Sequence, residues 1–253
     1  MSKPSIAAFI PAKATSNRVP GKNKRLLSGH PLIAWTIAAA HESGIFKDII
    51  VSTNSKDIAK ISRDYDCTKT IARPRRFATD TSPDIKWVEH LLWSTSATGY
   101  DAFAILRPTS PFRTADTIVR AWEEFLEHDG IDSLRAVEKC HQHPYKMWRI
   151  NGNGGSMEPL FEAPEGEIPW HSSQYQTLPE IWVQNASMEI AWTETVFNTN
   201  TIAGTKVIPF VTKEYEGFDI NIEEDFRKAE QLIERGEVTA PLLLTEGHSR
   251  IPW

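Results

Sequence analysis

Apolar residues follow two alternating rhythms along the chain. Ile6–Ile10 (IAAFI), Asp48–Ser52 (DIIVS) and Ala102–Leu106 (AFAIL) are short apolar runs bounded by turn or polar residues, the pattern of buried strands. Between and after them come spacings of three and four: Ile33, Ile37 and Ala40; Ile58, Ile61 and Tyr65; Ile85, Val88 and Leu92; Ile118, Trp122 and Phe125. Each such set puts one apolar stripe of a helix against a sheet. Strands alternating with helices of this length predict β-α-β units: an α/β fold with a mostly parallel sheet and helices on both faces. Ligands of such sheets sit at the carboxyl ends of the strands, so the loop after Ile10 is the first place to look.

The rhythm fails in the middle. Residues 140–178 are rich in Gly, Pro, Ser, Trp and Tyr and have no helical period, and irregular segments of that length are usually functional or interfacial. Alternation returns at Ile181–Val183, Met188–Trp192 and Lys206–Phe210, and a last helix begins at Asn221 with Phe226, Ala229 and Ile233 on one face. The expected organisation is an α/β part over 1–139, an irregular insertion over 140–178, completion of the α/β part over 179–240, and a loosely attached tail over 241–253. Trp35, Trp87 and Trp122 fall on helical stripes and read as core. Trp148, Trp170 and Trp182 flank the insertion, where an interface or a substrate lid is expected.

Composition narrows the class. With 253 residues, 40% hydrophobic and 24% charged, the chain has material for a large core, which excludes disorder. No run of eighteen apolar residues exists, so no membrane helix is expected, and the N-terminus reads as a first strand rather than a signal peptide. Cys67 and Cys140 are far apart and form no C-x-x-C pair, which points to a reducing, cytoplasmic compartment rather than a disulfide scaffold or zinc site. His141 and His143, without acidic or cysteine neighbours, read as loop histidines. A net charge of −5 argues against a nucleic-acid partner.

Any anion must therefore be met locally, and one segment suits that. Lys13–Arg25 (KATSNRVPGKNKR) follows the first strand and holds five basic residues and no acidic one. It is neither a G-x-x-x-x-G-K-[ST] loop nor a G-x-G-x-x-G turn. Read from charge alone, it is either an anion cradle or a solvated basic loop.

The motifs go further. IPAKATSNRVPGKNKRLL resembles IPARGGSKRIPGKNIR, the opening of the CMP–sialic acid synthetases (acylneuraminate cytidylyltransferases). The resemblance continues in order: LIAWTI for the first helix, VSTNS for the second strand and its turn, RPRRFATDTSPD for RPxxLAxDTxSS, LRPTSPFR for LQPTSPLR, LPEIWVQNASMEI for LPxxYxxNGAIY, and FDINIEEDF for IDIDTEEDF. It spans about residues 5–235, and six further motifs in order after the opening one make it specific. It implies a Rossmann-like nucleotidyltransferase fold with a dimerisation insertion, a homodimer, and Mg²⁺-dependent transfer of CMP from CTP to the anomeric hydroxyl of a 2-keto-3-deoxy sugar acid, releasing pyrophosphate.

The same resemblance assigns residues. Lys22, Lys13 and Arg18 are the expected catalytic cations; Lys13 replaces an Arg and loses its bidentate fork. Ala12, Lys13, Ser16, Asn23, Arg73, Ser82 and Asp84 are expected around the nucleotide, with Arg73 at the cytosine and Ser82 and Asp84 on the adjoining loop. A surface salt bridge is the alternative for Arg73. Asp219 and Asn221 stand at the D-x-D of a Mg²⁺ site. Asn221 can also start the last helix, with Glu224 as its capping partner.

Departures cluster in the acceptor pocket, assigned to Arg107, Tyr175, Gln176, Asn185 and Glu189. Arg107 replaces a Gln, Tyr175 an Arg, Glu189 a Tyr, and Ala186 a Gly. They predict an acceptor other than ordinary N-acetylneuraminate, such as an acid with an amino group near Glu189. The alternatives are a 3-deoxy-octulosonate or phosphonate acceptor, or a nucleotide-binding protein without turnover. The Ala14-Thr15 pair replaces two glycines of the opening motif, so the loop must meet phosphate with side chains present.

Overall fold

A computed structural model of the chain describes residues 3–95, 99–152 and 154–242. The tail expected over 241–253 therefore lies outside the described residues from 243 onward. The chain starts with β1 (Ile6–Pro11), a short ladder of β2 (Leu26–Leu27) and β3 (His30–Pro31), and α1 (Leu32–Ser43). There follow β4 (Phe46–Thr53), α2 (Lys56–Asp64), β5 (Lys69–Ala72), α3 (Asp84–Ser94), β6 (Ala102–Ile105), α4 (Ala115–Glu127) and β7 (Ser133–Lys139). A hairpin of β8 (Trp148–Asn151) and β9 (Ser156–Pro159) precedes β10 (Trp182–Trp192), α5 (Thr193–Thr199), β11 (Val207–Val211) and α6 (Glu223–Glu234).

Seven strands form one sheet in the order β11-β7-β10-β6-β1-β4-β5. Strands β6, β1, β4 and β5 run parallel, and β10 pairs antiparallel with β6. Side chains alternate across β1: Ile6, Ala8 and Ile10 pack into one hydrophobic cluster, Ala7 and Phe9 into the other. The first cluster takes the apolar stripes of α1, α2, α4 and α6, the second those of α3 and α5. Helices thus cover both faces, and Trp35, Trp87 and Trp122 are buried among them.

The chain folds as two units, Val137–Gln184 and the remainder. No described residue of Val137–Gln184 belongs to either hydrophobic cluster. His143 in this unit is buried, and its Nε2 lies 2.8 Å from the Pro179 carbonyl oxygen.

Several elements differ from the sequence expectation. The two apolar stretches at 181–183 and 188–192 are one continuous strand, β10. Strands β5 and β7 and helix α5 carry too few or too charged residues to show a period; β7 reads SLRAVEK. The last helix begins at Glu223, two residues beyond Asn221, and the side chain that reaches back is Asp225 rather than Glu224. Its Oδ2 accepts from the backbone N–H groups of Asn221 and Ile222 at 2.8 and 2.9 Å.

Candidate active site

A cavity of about 680 Å³ opens in the larger unit, its wall running past the ends of β1, β5 and β6. Lys13, Ser16, Arg18, Lys22 and Asn23 from the opening loop line it, as do Arg73, Ser82 and Asp84, then Arg107, and finally Asp219 and Asn221. Eleven of the residues singled out in the sequence thus meet on one wall, because every parallel strand delivers its following loop to the same sheet edge. Ala12 is fully buried behind it, its N–H bonded to the Ser52 carbonyl at 2.9 Å.

The opening loop is held from inside. Gly21 takes a left-handed turn (φ 65°), and the short helical turn Lys22–Lys24 follows. Within 12–25 it is the one residue with positive φ, so Ala14 and Thr15 sit in ordinary backbone conformations and no glycine is needed there. Ala14 N–H donates to Asn54 Oδ1 at 2.7 Å, and Asn23 Nδ2 donates to the Lys13 carbonyl at 3.1 Å. Two of the five cations are occupied away from the cavity: Lys24 by Asp57 at 2.8 Å, and Arg25 by both oxygens of Glu223 at 2.7 and 2.6 Å. The other three line the cavity. Arg18 is exposed and makes no ion pair among the described residues, whereas Lys13 pairs with Asp80, which also accepts from Asn17 Nδ2 at 2.5 Å. Asp80 and Asn17, both on the cavity wall, were not singled out in the sequence. The signal for Asp80 was the DT step of RPRRFATDTSPD, and that for Asn17 its place in the basic opening loop.

Lys22 is 9% exposed, and its Nζ donates to the Ile220 carbonyl at 2.7 Å. Burial lowers its pKa; Asp219 raises it and Arg18 lowers it further. Ile220 N–H in turn donates to the Thr109 carbonyl at 2.8 Å, so the Asp219–Asn221 step is fixed between Lys22 and the loop after β6.

Asp219 Oδ2 accepts from Asn221 Nδ2 at 2.5 Å, while its Oδ1 is buried without a hydrogen-bond partner. A carboxylate oxygen orphaned on a cavity wall suits a hard divalent cation. No cluster of three or more His, Cys, Asp or Glu suited to a metal occurs among the described residues. The donor set therefore fits Mg²⁺, which takes one or two carboxylates and completes its shell with water and phosphate oxygens, and fits poorly a metal needing an all-protein cage.

At the other end of the cavity, Arg73 is buried, donating from Nε to Ser52 Oγ at 3.0 Å and stacking on Trp87 at 4.9 Å. Among the described residues it makes no salt bridge. Burial pushes its guanidinium down to about 10, with Asp84 acting in the opposite sense. Asp84 lies in the first turn of α3, not in the preceding loop. Burial works against its charge, yet Arg107, the Trp87 N–H and Arg73 hold its carboxyl below the usual aspartate range.

The residues assigned to the acceptor divide between the two units. Arg107 reaches the cavity; Glu189 is buried and does not line it. Asn185 does not line it either, its Nδ2 donating to Thr212 Oγ1 at 2.9 Å. Tyr175 and Gln176 belong to the smaller unit, where the Tyr175 hydroxyl donates to the Cys140 carbonyl at 2.9 Å. Arg113, closing the LRPTSPFR motif, was also not singled out. Fully buried and without an ion pair among the described residues, it donates to the Ser187 carbonyl and to Thr36 Oγ1.

Residues 7–178 match the cytidylyltransferase family. A CMP-N,N'-diacetyllegionaminic acid synthase of Legionella pneumophila is 34% identical over 90% of this chain and 96% of its own length. A post-translational flagellin modification protein B of Campylobacter coli is 27% identical over 93% and 97%. Among solved structures, a CMP:2-keto-3-deoxy-manno-octonic acid synthetase complexed with CTP superposes with a TM-score of 0.67 over 92% of this chain and 99% of its own, at 10% identity. That last likeness establishes the Rossmann-like nucleotidyltransferase fold, and the sequence matches establish the lineage: this chain belongs to the cytidylyltransferase family, with the CMP–sialic acid synthetases.

Proposed function

We propose that this chain transfers CMP from CTP to the anomeric hydroxyl of a sialic-acid-type 2-keto sugar acid and releases pyrophosphate. One observation carries the reading: a single cavity has three lysine and arginine side chains of the opening loop near an orphaned carboxylate oxygen at Asp219, and a buried arginine on an indole at Arg73. The first set suits a triphosphate, the second a planar base. The legionaminic acid synthase among the relatives supports an acceptor other than ordinary N-acetylneuraminate.

In this reading Lys13, Arg18 and Lys22 meet the triphosphate. Attack of the acceptor hydroxyl on the α-phosphorus gathers negative charge on the phosphoryl and departing oxygens, and fixed cations there stabilise the transition state more than bound CTP. Lys22 is already desolvated and anchored, so it needs no reorganisation as charge develops. Ser16 and Asn23 hold the loop and the phosphates; Arg73, Ser82 and Asp84 hold base and ribose. Arg107 meets the acceptor's carboxylate. Asp219, with Asn221, would hold Mg²⁺, which when bound supplies charge neutralisation at the phosphates.

The enzyme is proposed to work as a homodimer in the cytoplasm. Ile150, Met157, Phe161 and Ile168 of the unit Val137–Gln184 are exposed and that unit contributes nothing to either core, which suits a surface covered by a second subunit. Both cysteines are free, which suits a reducing compartment. No described helix is long and apolar enough to cross a membrane.

The test is pyrophosphate release with CTP and Mg²⁺ against N,N'-diacetyllegionaminate, N-acetylneuraminate, a 3-deoxy-octulosonate and a phosphonate acid. Release with a sialic-acid-type acid is expected, with N-acetylneuraminate a poor substrate. Strong preference for N-acetylneuraminate overturns the acceptor reading, and CTP binding without release from any acid overturns the reaction.

A further inference from the structure

Glu189 is a buried carboxylate outside the lining of the cavity. It is 5% exposed, faces Ile105 of β6 across the antiparallel pair, and stays behind the cavity wall. Both its oxygens are engaged by guanidinium groups. Arg107 Nη2 lies 2.9 Å from Oε1, and Arg135 of β7 pairs with Oε2. Each oxygen thus already answers a guanidinium, and the buried carboxylate presents little surface to an acceptor. The same Arg107 nitrogen also donates to Asp84 Oδ2 at 2.5 Å, so Arg135, Glu189, Arg107 and Asp84 form a row of alternating charge from interior to cavity.

Each end of this row has a physical consequence. A free arginine loses side-chain entropy when it is fixed, and here two carboxylates on one nitrogen fix Arg107 before any ligand arrives. Without Glu189, the guanidinium would be left with Asp84 alone, a cavity residue near Arg73, and each would neutralise the other. The pair also explains the two departures from the family motifs together. A neutral Gln and Tyr are replaced by Arg107 and Glu189, and the two introduced charges pair with each other at 2.9 Å.

We propose that Glu189 is a positioning residue for the acceptor: from behind the wall it holds the Arg107 guanidinium presented to the acceptor's carboxylate. This rests on the cytidylyl-transfer reading above, with Arg107 as the contact and Glu189 acting only through it.

The test is a double-mutant cycle in the intact enzyme: wild type, Glu189→Gln, Arg107→Gln and the double variant, each with KM for acceptor, KM for CTP and kcat from pyrophosphate release. Glu189→Gln is expected to raise the acceptor KM about tenfold, the worth of one charge-assisted hydrogen bond, with the CTP KM within twofold. In the Arg107→Gln background the same change is expected to move the acceptor KM less than twofold. An unchanged acceptor KM in Glu189→Gln, or an equal rise in both backgrounds, overturns the proposal. If Glu189→Gln does not bind CTP, Glu189→Asp decides: a threefold or larger rise in acceptor KM at unchanged CTP KM upholds positioning, and no rise overturns it. Wild type that turns over no acid overturns the reaction reading instead, since the cycle is read only on an active parent.

Discussion

Replacing Lys22 by methionine separates catalysis from stability. The side chain keeps its length and loses its charge. In the ligand-free protein the Ile220 carbonyl forfeits a donor at 2.7 Å, a charge-assisted bond worth ~1.5–3 kcal/mol. Against that, the cost of holding a buried ammonium disappears, the same cost that lowers the Lys22 pKa. The two oppose, so stability should change by less than about 2 kcal/mol. Turnover has no such offset: loss of one preorganised group at the developing charge lowers kcat roughly 10²–10³-fold. Pyrophosphate release gives kcat, calorimetric titration gives CTP affinity, and urea unfolding gives stability. The pH dependence has a definite sign. Between the lowered pKa of Lys22 and its ordinary value of 10.5 the unfolded chain binds the extra proton, so wild-type stability gains a rising contribution with pH. Lys22→Met should lack that contribution. A variant within tenfold of wild-type kcat refutes the catalytic role, and one that no longer unfolds cooperatively refutes the argument that the stability terms offset.

Three further outcomes are expected. Chelation with EDTA should abolish turnover, Mg²⁺ should restore it, and Asp219→Asn should need markedly more Mg²⁺; wild-type activity indifferent to EDTA would exclude the metal. Burial pushes the Cys67 thiol up to about 11, so at pH 8 a thiol reagent should label Cys140 in the native protein and Cys67 only in denaturant. The same raised pKa contributes stability that is present below pH 9 and lost as pH rises through 11; rapid native labelling at both cysteines would contradict it. Phe9, fully buried and stacked on Phe103 at 5.2 Å, should cost about 3–5 kcal/mol as Phe9→Ala in urea unfolding, and a cost under 1 would mean that the site collapses around the deletion.

How much of this was legible depended on how far apart the interacting residues lie. IAAFI is apolar at every position because β1 is buried on both faces, and that shows in a window of five residues. Strand β7, SLRAVEK, was not legible for the converse reason: its inward Arg135 is neutralised by a glutamate on another strand, which breaks the apolar pattern that marks a strand. Lys13 and Asp80 lie 67 positions apart, and no local pattern links them. Glu224 suited the capping spacing as well as Asp225 did; only the backbone path into α6 decides which carboxylate turns back.

The sequence by itself determined the type of the strongly patterned elements, the α/β class and the family, because side-chain period and backbone sterics act over a few residues and motif order survives without coordinates. Only the tertiary structure decided which charges are free. In the opening loop Arg18 is left to the cavity while Lys24 and Arg25 are occupied by Asp57 and Glu223, and behind the cavity Glu189 is paired with Arg107 and Arg135. A Coulomb partner is set by distance in space, and that distance is fixed when the sheet brings distant loops to one edge.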